Sequence, residues 1–264
     1  MWGKAAGGGE DWSLGLEALA YSSFGLGLTA VGMMAACSLA MRAAPRGELL
    51  ALGFAGTLVV YTVDRLRDLP RDRLAAPRRT GFVLRHERAL RLQVGAAGLV
   101  AAGLALHAGP RVAALAALVA GLGLAHRRLK RRSVAKLAYV TLAWTAVSVG
   151  LPAVAEPAPR HVGWIALLVA STVSANVWLS SVVDGGAQPG TRRGGGAAGI
   201  ALALLLPGLL VGLLGPLALR ALLAMPAAMA LAAAGFRPTE RYAALAVDGA
   251  VLVGAAIATA LASR

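Results

Sequence analysis

The chain has 264 residues, 58% of them hydrophobic and only 14% charged, with a formal net charge of +14 and a mean hydropathy of +0.70. A soluble domain needs a more polar surface than this composition supplies, so the chain reads as an integral membrane protein. At roughly 20 apolar residues per bilayer-spanning helix, the length allows about nine spans with short connections and leaves no room for a sizeable extramembrane domain.

The first dozen residues, MWGKAAGGGEDW, hold two acids and a glycine run where a secretory signal places a basic start and an apolar core, so no cleaved signal is expected. Residues 1–14 are expected to be a flexible N-terminal segment of a single domain covering 1–264. Apolar runs between charges and Gly/Pro breaks place spans near 15–41, 48–66, 90–108, 110–126, 134–155, 161–183, 196–214, 217–235 and 243–262. Alanine and leucine dominate and strand-like alternation is absent, which predicts an all-α polytopic bundle rather than a barrel. Cys37, the only cysteine, falls inside the first run, so an intramolecular disulfide is impossible.

Orientation follows from the basic residues. The stretch Arg65–Arg91 holds nine arginines, and Arg127–Lys136 holds six lysines and arginines. Both are expected on the cytoplasmic side. Nine spans then place the N-terminus inside as well, with 20 basic residues inside and six outside. The same arginine excess accounts for the net charge through topology and anionic lipid, and no nucleic-acid module is present, so no nucleic-acid partner is expected.

Acids are scarce, twelve in all, and three stand at Asp64, Asp68 and Asp72. On a helix each step of four drifts about 40° and rises about 6 Å, so the three carboxylates form one stripe at the cytoplasmic end of the second span. Such a stripe needs compensation, either from solvent and the neighbouring Arg65, Arg67, Arg71 and Arg73, or from a cation such as Mg²⁺, which bridges carboxylates to substrate phosphates.

The longer string Asp64-Arg-Leu-Arg-Asp68-Leu-Pro-Arg-Asp72-Arg73-Leu-Ala-Ala-Pro77-Arg-Arg79 resembles the first aspartate-rich motif of the UbiA superfamily of intramembrane prenyltransferases, Asn-xxx-Asp-xxx-Asp-Arg-xxx-Pro-x-Arg. Asp64 stands at the asparagine position, and Asp68, Asp72, Arg73, Pro77 and Arg79 match directly. Leu129-Lys130-Arg131-Arg132-Ser133 is similar to the basic element before that family's fifth helix, and nine helices is the family's count. After the sixth span the chain reads Asn176-Val-Trp-Leu-Ser180-Ser-Val-Val-Asp184-Gly-Gly-Ala-Gln188, a partial second motif. Two registers fit it. One uses Ser180, Asp184 and Gln188, the other Asn176, Ser180 and Asp184, and either holds one carboxylate.

The resemblance implies Mg²⁺-dependent transfer of a prenyl group from a prenyl diphosphate to a lipid-soluble membrane acceptor. It makes Asp64, Asp68, Asp72 and Asp184 the catalytic and metal-binding residues. Arg73, Arg79, Lys130, Arg131, Asn176, Ser180 and Gln188 then hold the diphosphate. Neutralising the leaving group lets the carbon–oxygen bond break, and the apolar bundle interior keeps water from the allylic cation. The alternatives are a UbiA-type terpene cyclase, a catalytically inactive prenyl-diphosphate-binding relative, and a transporter or structural membrane protein. A CDP-alcohol phosphotransferase is disfavoured, because its Asp-Gly-xx-Ala-Arg continuation follows neither Asp184 nor Asp248.

His86, His107, His126 and His161 lie at span ends without a close pair, so they are read as interfacial. Trp144, Trp164 and Trp178 are read as packing or interfacial residues. Asp248 inside the last span is either a functional carboxylate or a buried acid that is protonated or paired with Arg241. The glycine runs 7–9 and 194–196 lack the Lys-Ser/Thr context of a phosphate loop.

Overall fold

A computed structural model describes residues 15, 18–129, 133–184 and 192–264, with the side chains at 70–75, 124–129, 133–134, 184 and 192–195 left out. The described residues are helical throughout, with no strand among them. In chain order the helices are α1 (Phe24–Ala40), α2 (Gly47–Ala75), α3 (Pro77–Arg85), α4 (Glu87–His107), α5 (Pro110–Leu129) and α6 (Ser133–Thr145). A π turn (Ala146–Gly150) joins α6 to α7 (Leu151–Ala155). Then come α8 (Val162–Asp184), α9 (Arg192–Leu214), a 3₁₀ stretch (Leu217–Leu223) leading into α10 (Ala224–Ala234), and α11 (Glu240–Tyr242), which passes through a second π turn (Ala243–Val247) into α12 (Asp248–Ala262).

Seven stretches are long and apolar enough to cross a membrane: Gly47–Leu69, Glu87–His107, Ala135–Ala155, Val162–Val183, Gly196–Leu214, Leu217–Ala234 and Glu240–Ala262. Phe24–Ala40 and Pro110–Gly123 are apolar but shorter. The chain is thus an all-α, multi-pass membrane protein. Its outer surface agrees: Leu92, Leu99 and Leu106, seven residues apart on one face of α4, are 75–79% exposed, an arrangement suited to lipid and unsuited to water.

Two differences from the sequence expectation have physical causes. The first span does not run unbroken from residue 15, because Ser23 sits in the left-handed region at φ 70° and α1 starts only at Phe24. A break inside the bundle strands backbone carbonyls. Arg65 of α2 satisfies two of them, donating from Nη1 to the Ala20 carbonyl at 2.9 Å and to that of Tyr21. Thr62 donates to the Ser23 hydroxyl at 3.3 Å, and Gln93 of α4 donates to the Ser22 carbonyl at 3.1 Å. Arg65 therefore acts as a brace for the break.

The arginine-rich stretch 65–91, in turn, is almost entirely helical rather than a loop: α2 continues to Ala75, and α3 occupies Pro77–Arg85. Proline at the first position suits a helix start, since its missing N–H would lack a partner there anyway. The residue before it, Ala76, has no side chain able to cap. The carboxylate of Glu240, from α11 at the far end of the chain, takes that place, accepting from Arg79 N at 2.7 Å and Arg78 N at 3.3 Å.

The main core lies among α1, α8, α9, α10 and α12, where Met33, Leu168, Leu205, Leu222 and Met229 are fully buried. α8 packs along α9, α2 along α4, and α12 against both α1 and α10. At Gly254 of α12 an added Cβ would lie 2.7 Å from Met225 Cα and 2.8 Å from the Ala224 carbonyl, so glycine is what lets α12 and α10 approach this closely. A second cluster, with Met34, Leu52, Val112 and Leu151 at its centre, joins α1, α2, α5 and α7. Between the two clusters an interior space stays open.

Candidate functional site

That space is a cavity of about 300 Å³. Its lining divides by chemistry along α2. Deep in the bundle the wall is apolar: Leu52, Gly53, Gly56 and Val60 from α2, Ala116, Val119 and Ala120 from α5, and Val147 and Leu151 beyond α6. Toward the end of α2 where the arginines cluster it is polar: Asp64 and Asp68 from α2, Arg79 from α3, Lys136 and Tyr139 from α6, Asn176 and Ser180 from α8, and Glu240 and Asp248 from the last span. From Leu52 to Asp64 the helix rises about 18 Å at 1.5 Å per residue. The cavity thus has an ionic mouth and an apolar interior of a length that suits an extended hydrocarbon chain.

Helical spacing puts these residues together. Asp64 and Asp68 are one turn apart on α2, and Asn176 and Ser180 are one turn apart on α8, so each pair lies on one helix face. Lys136, Tyr139, Val140, Ala143, Trp144 and Val147 line the cavity as a single stripe at steps of three and four. Midway down, Trp144 donates from Nε1 to the Tyr61 hydroxyl at 2.6 Å, with the rings 6.0 Å apart. The pair joins α2 to α6 across the cavity wall at the transition from polar to apolar lining.

Opposite the aspartates of α2, Asn176 donates from Nδ2 to Asp248 Oδ1 at 3.1 Å and to the Val247 carbonyl at 3.2 Å. Asp248 lies close enough to Tyr61, Arg65 and Asp64 to belong to the same polar cluster. Asp248, for which the sequence left two readings open, lines the cavity. Trp178 instead packs outside it, donating to the Ala197 carbonyl at 3.2 Å, and Trp164 is half exposed.

Of the residues singled out in the sequence, the cavity brings together Asp64, Asp68, Arg79, Asn176 and Ser180. The backbone of Asp72 and Arg73 continues α2, and Asp184 ends α8. Their side chains lie outside the described residues, as do Lys130, Arg131 and Gln188. Tyr61, Lys136, Tyr139 and Glu240 also line the cavity, and sequence reasoning passed over them. Lys136 had a visible signal, since it is the last cation of the basic stretch and sits one turn before Tyr139. Glu240 had none, because its partners are about 160 residues away.

The donor types suit a hard divalent cation: the carboxylates of Asp64 and Asp68 and the neutral oxygens of Asn176 and Ser180 belong to the same lining. Among the described residues no three acidic, histidine or cysteine side chains form a ready-made metal cage. Mg²⁺ does not require one, since it commonly keeps several waters and takes one or two carboxylates plus the oxygens of a bound phosphate. Comparison of the chain with family models, with curated proteins and with solved structures gives no match.

Proposed function

We propose that the protein is an intramembrane prenyltransferase of the UbiA type, which transfers a prenyl group from a prenyl diphosphate to a lipid-soluble acceptor with the help of Mg²⁺. The observation that carries this reading is the cavity, where the two halves of the motif pattern, Asp64, Asp68 and Arg79 on one side and Asn176 and Ser180 on the other, face each other over an apolar interior. A diphosphate with an isoprenoid tail has the same division of polarity. Counting the two shorter apolar helices as spans gives nine, with the ionic mouth and the arginine-rich segments on the cytoplasmic face.

Arg79 and Lys136 supply cationic donors for the diphosphate oxygens at the mouth. Asp64 and Asp68 hold Mg²⁺, which neutralises the leaving group when bound. On this reading Asp72 and Asp184 serve as further metal-binding residues, and Arg73, Lys130, Arg131 and Gln188 as further donors to the diphosphate, the roles that the resemblance implies for them. Below the ions, Tyr61 and Trp144 also line the cavity, and aromatic rings there suit a reacting carbon on which positive charge develops. The Leu, Val, Ala and Gly wall beneath them receives the tail and keeps water away.

The test uses membranes containing the protein, supplied with geranyl, farnesyl or geranylgeranyl diphosphate and Mg²⁺. Release of diphosphate with a prenylated acceptor detected by mass spectrometry supports transfer, and Asp68→Ala removes both. Release with a free hydrocarbon or alcohol in place of a prenylated acceptor indicates cyclisation. No release from any of the three, with Mg²⁺-dependent binding retained, leaves a diphosphate-binding protein without turnover and overturns the enzymatic reading.

A further inference from the structure

Asn176 is held by its nitrogen. Nδ2 lies 3.1 Å from Asp248 Oδ1 and 3.2 Å from the Val247 carbonyl oxygen. Turned over, the amide would set Oδ1 against both of these oxygens. The Val247 carbonyl has no proton to give whatever the state of Asp248, so the reversed amide loses two hydrogen bonds and gains a repulsive contact. Both acceptors sit where the π turn Ala243–Val247 passes into α12, a widened helical turn of the kind that often marks a working site. Asn176, Asp248 and Ser180 all line the cavity. An acid placed inside a membrane span is costly and calls for a role.

We propose that Asp248 is a positioning residue, which fixes the Asn176 amide so that its Oδ1 faces the cavity as a neutral oxygen ligand for the cation and diphosphate. The role rests on the prenyl-diphosphate reading above. It takes the register Asn176, Ser180 and Asp184 for the partial second motif, whose first two residues line the cavity. In this register Asn176 stands at the asparagine position and Ser180 at the place of the missing carboxylate, and the direction of the amide is set from another helix, the role that residues behind a ligand play in metal sites generally.

The experiment is calorimetric binding of geranyl diphosphate, with and without Mg²⁺, to the full-length protein in lipid nanodiscs, with melting temperature followed in parallel. D248N, which removes the carboxylate acceptor and leaves only the Val247 carbonyl to hold the amide, weakens Mg²⁺-dependent binding by about tenfold while the Mg²⁺-independent part is unchanged. N176D, which sets a carboxylate against Asp248 and the Val247 carbonyl, weakens it at least as much. In the double variant the introduced amide donates to the introduced carboxylate, and binding is tighter than in N176D alone. Because residues in contact couple whether they serve a ligand or only the fold, the melting temperature decides: a positioning role leaves it near wild type in D248N while Mg²⁺-dependent binding falls, whereas a merely structural role moves the two together. Wild-type binding by D248N, or a double variant no tighter than N176D, overturns the positioning role. Should D248N fail to survive purification, the double variant compared with N176D still reads the coupling. If wild-type protein shows no Mg²⁺-dependent binding, the prenyl-diphosphate reading falls and this role with it. If Asp68→Ala removes the Mg²⁺ effect and D248N does not alter it, only the role of Asp248 falls.

Discussion

Gly56 shows how a single residue shapes the cavity. Three glycines line it, and two of them are filled in by neighbours: a Cβ on Gly53 would meet Met34 Sδ at 2.2 Å, and one on Gly123 would meet Val60 Cγ1 at 2.8 Å. A Cβ on Gly56 would meet nothing within 4 Å. It projects into the open lumen about 12 Å along α2 from the Asp64 level, by helical rise. A larger side chain there costs no packing and subtracts tail space. Gly56→Leu is therefore expected to leave the melting temperature unchanged and geranyl diphosphate binding near wild type, while geranylgeranyl diphosphate binds at least tenfold more weakly. Equal losses for both donors would show that the tail does not pass Gly56. At this scale much of the site was legible in the sequence. Asp64 and Asp68, or Asn176 and Ser180, declare a shared face through their spacing of four. Tyr61 and Trp144 did not declare themselves, because an aromatic residue in an apolar span looks the same whether it packs against lipid, core or lumen. Asp248 was visible as an anomaly, but its partner was not, since nothing local links residue 248 to residue 176.

Helices were legible where periodicity and length agreed, and less so where tertiary contacts override local preference. The span starting at Glu87 and those ending at His107, Leu214 and Ala234 fall within a few residues of where hydropathy put them. The break at Ser23 and the helix α3 were missed for one reason: each is stabilised by a side chain from a distant segment, Arg65 in the first case and Glu240 in the second. Capping of this kind is worth about 1 kcal/mol, and a negative group at a helix N-terminus adds to it through the dipole. Glu240→Ala is expected to destabilise α3 locally, seen as faster hydrogen exchange at the Arg78 and Arg79 amides with exchange in α8 and α10 unaltered. Unchanged exchange at those two amides would mean that α3 holds without the clasp. The two π turns were also beyond sequence reading, since Ala-Val-Ser-Val-Gly and Ala-Ala-Leu-Ala-Val are unremarkable helical sequences.

For the whole molecule, the composition made the membrane class legible at once, and the placement of arginines makes orientation testable. With Cys37 replaced by serine, single cysteines at Arg71 and at Lys130 are expected to react with an impermeant thiol reagent only from the cytoplasmic side. Labelling of either position from outside would reverse the assigned topology. The span count is less legible, because the apolar stretches Phe24–Ala40 and Pro110–Gly123 are short among the described residues, and hydropathy does not reveal whether a short apolar stretch crosses or stops within the bilayer. A cysteine at Gly109, between α4 and α5, is expected to react only from outside, and if α5 crosses, the cysteine at Lys130 then reacts only from the cytoplasmic side.

The clasp between Glu240 and the start of α3 bears on how the molecule is made. A polypeptide leaves the ribosome from its N-terminus, and its early segments are in the bilayer while later ones are still being synthesised. Asp64, Asp68 and Arg79 arrive well before Glu240 and Asp248, Arg79 and Glu240 being 161 residues apart. Until then, α3 lacks the carboxylate that caps it, Asn176 lacks the acid that aims it, and α1 and α10 lack the α12 surface against which they pack. The chamber is therefore assembled only once the stretch Glu240–Ala262 has been made, and a nascent chain paused before it carries the charged half of the site without the wall that encloses it.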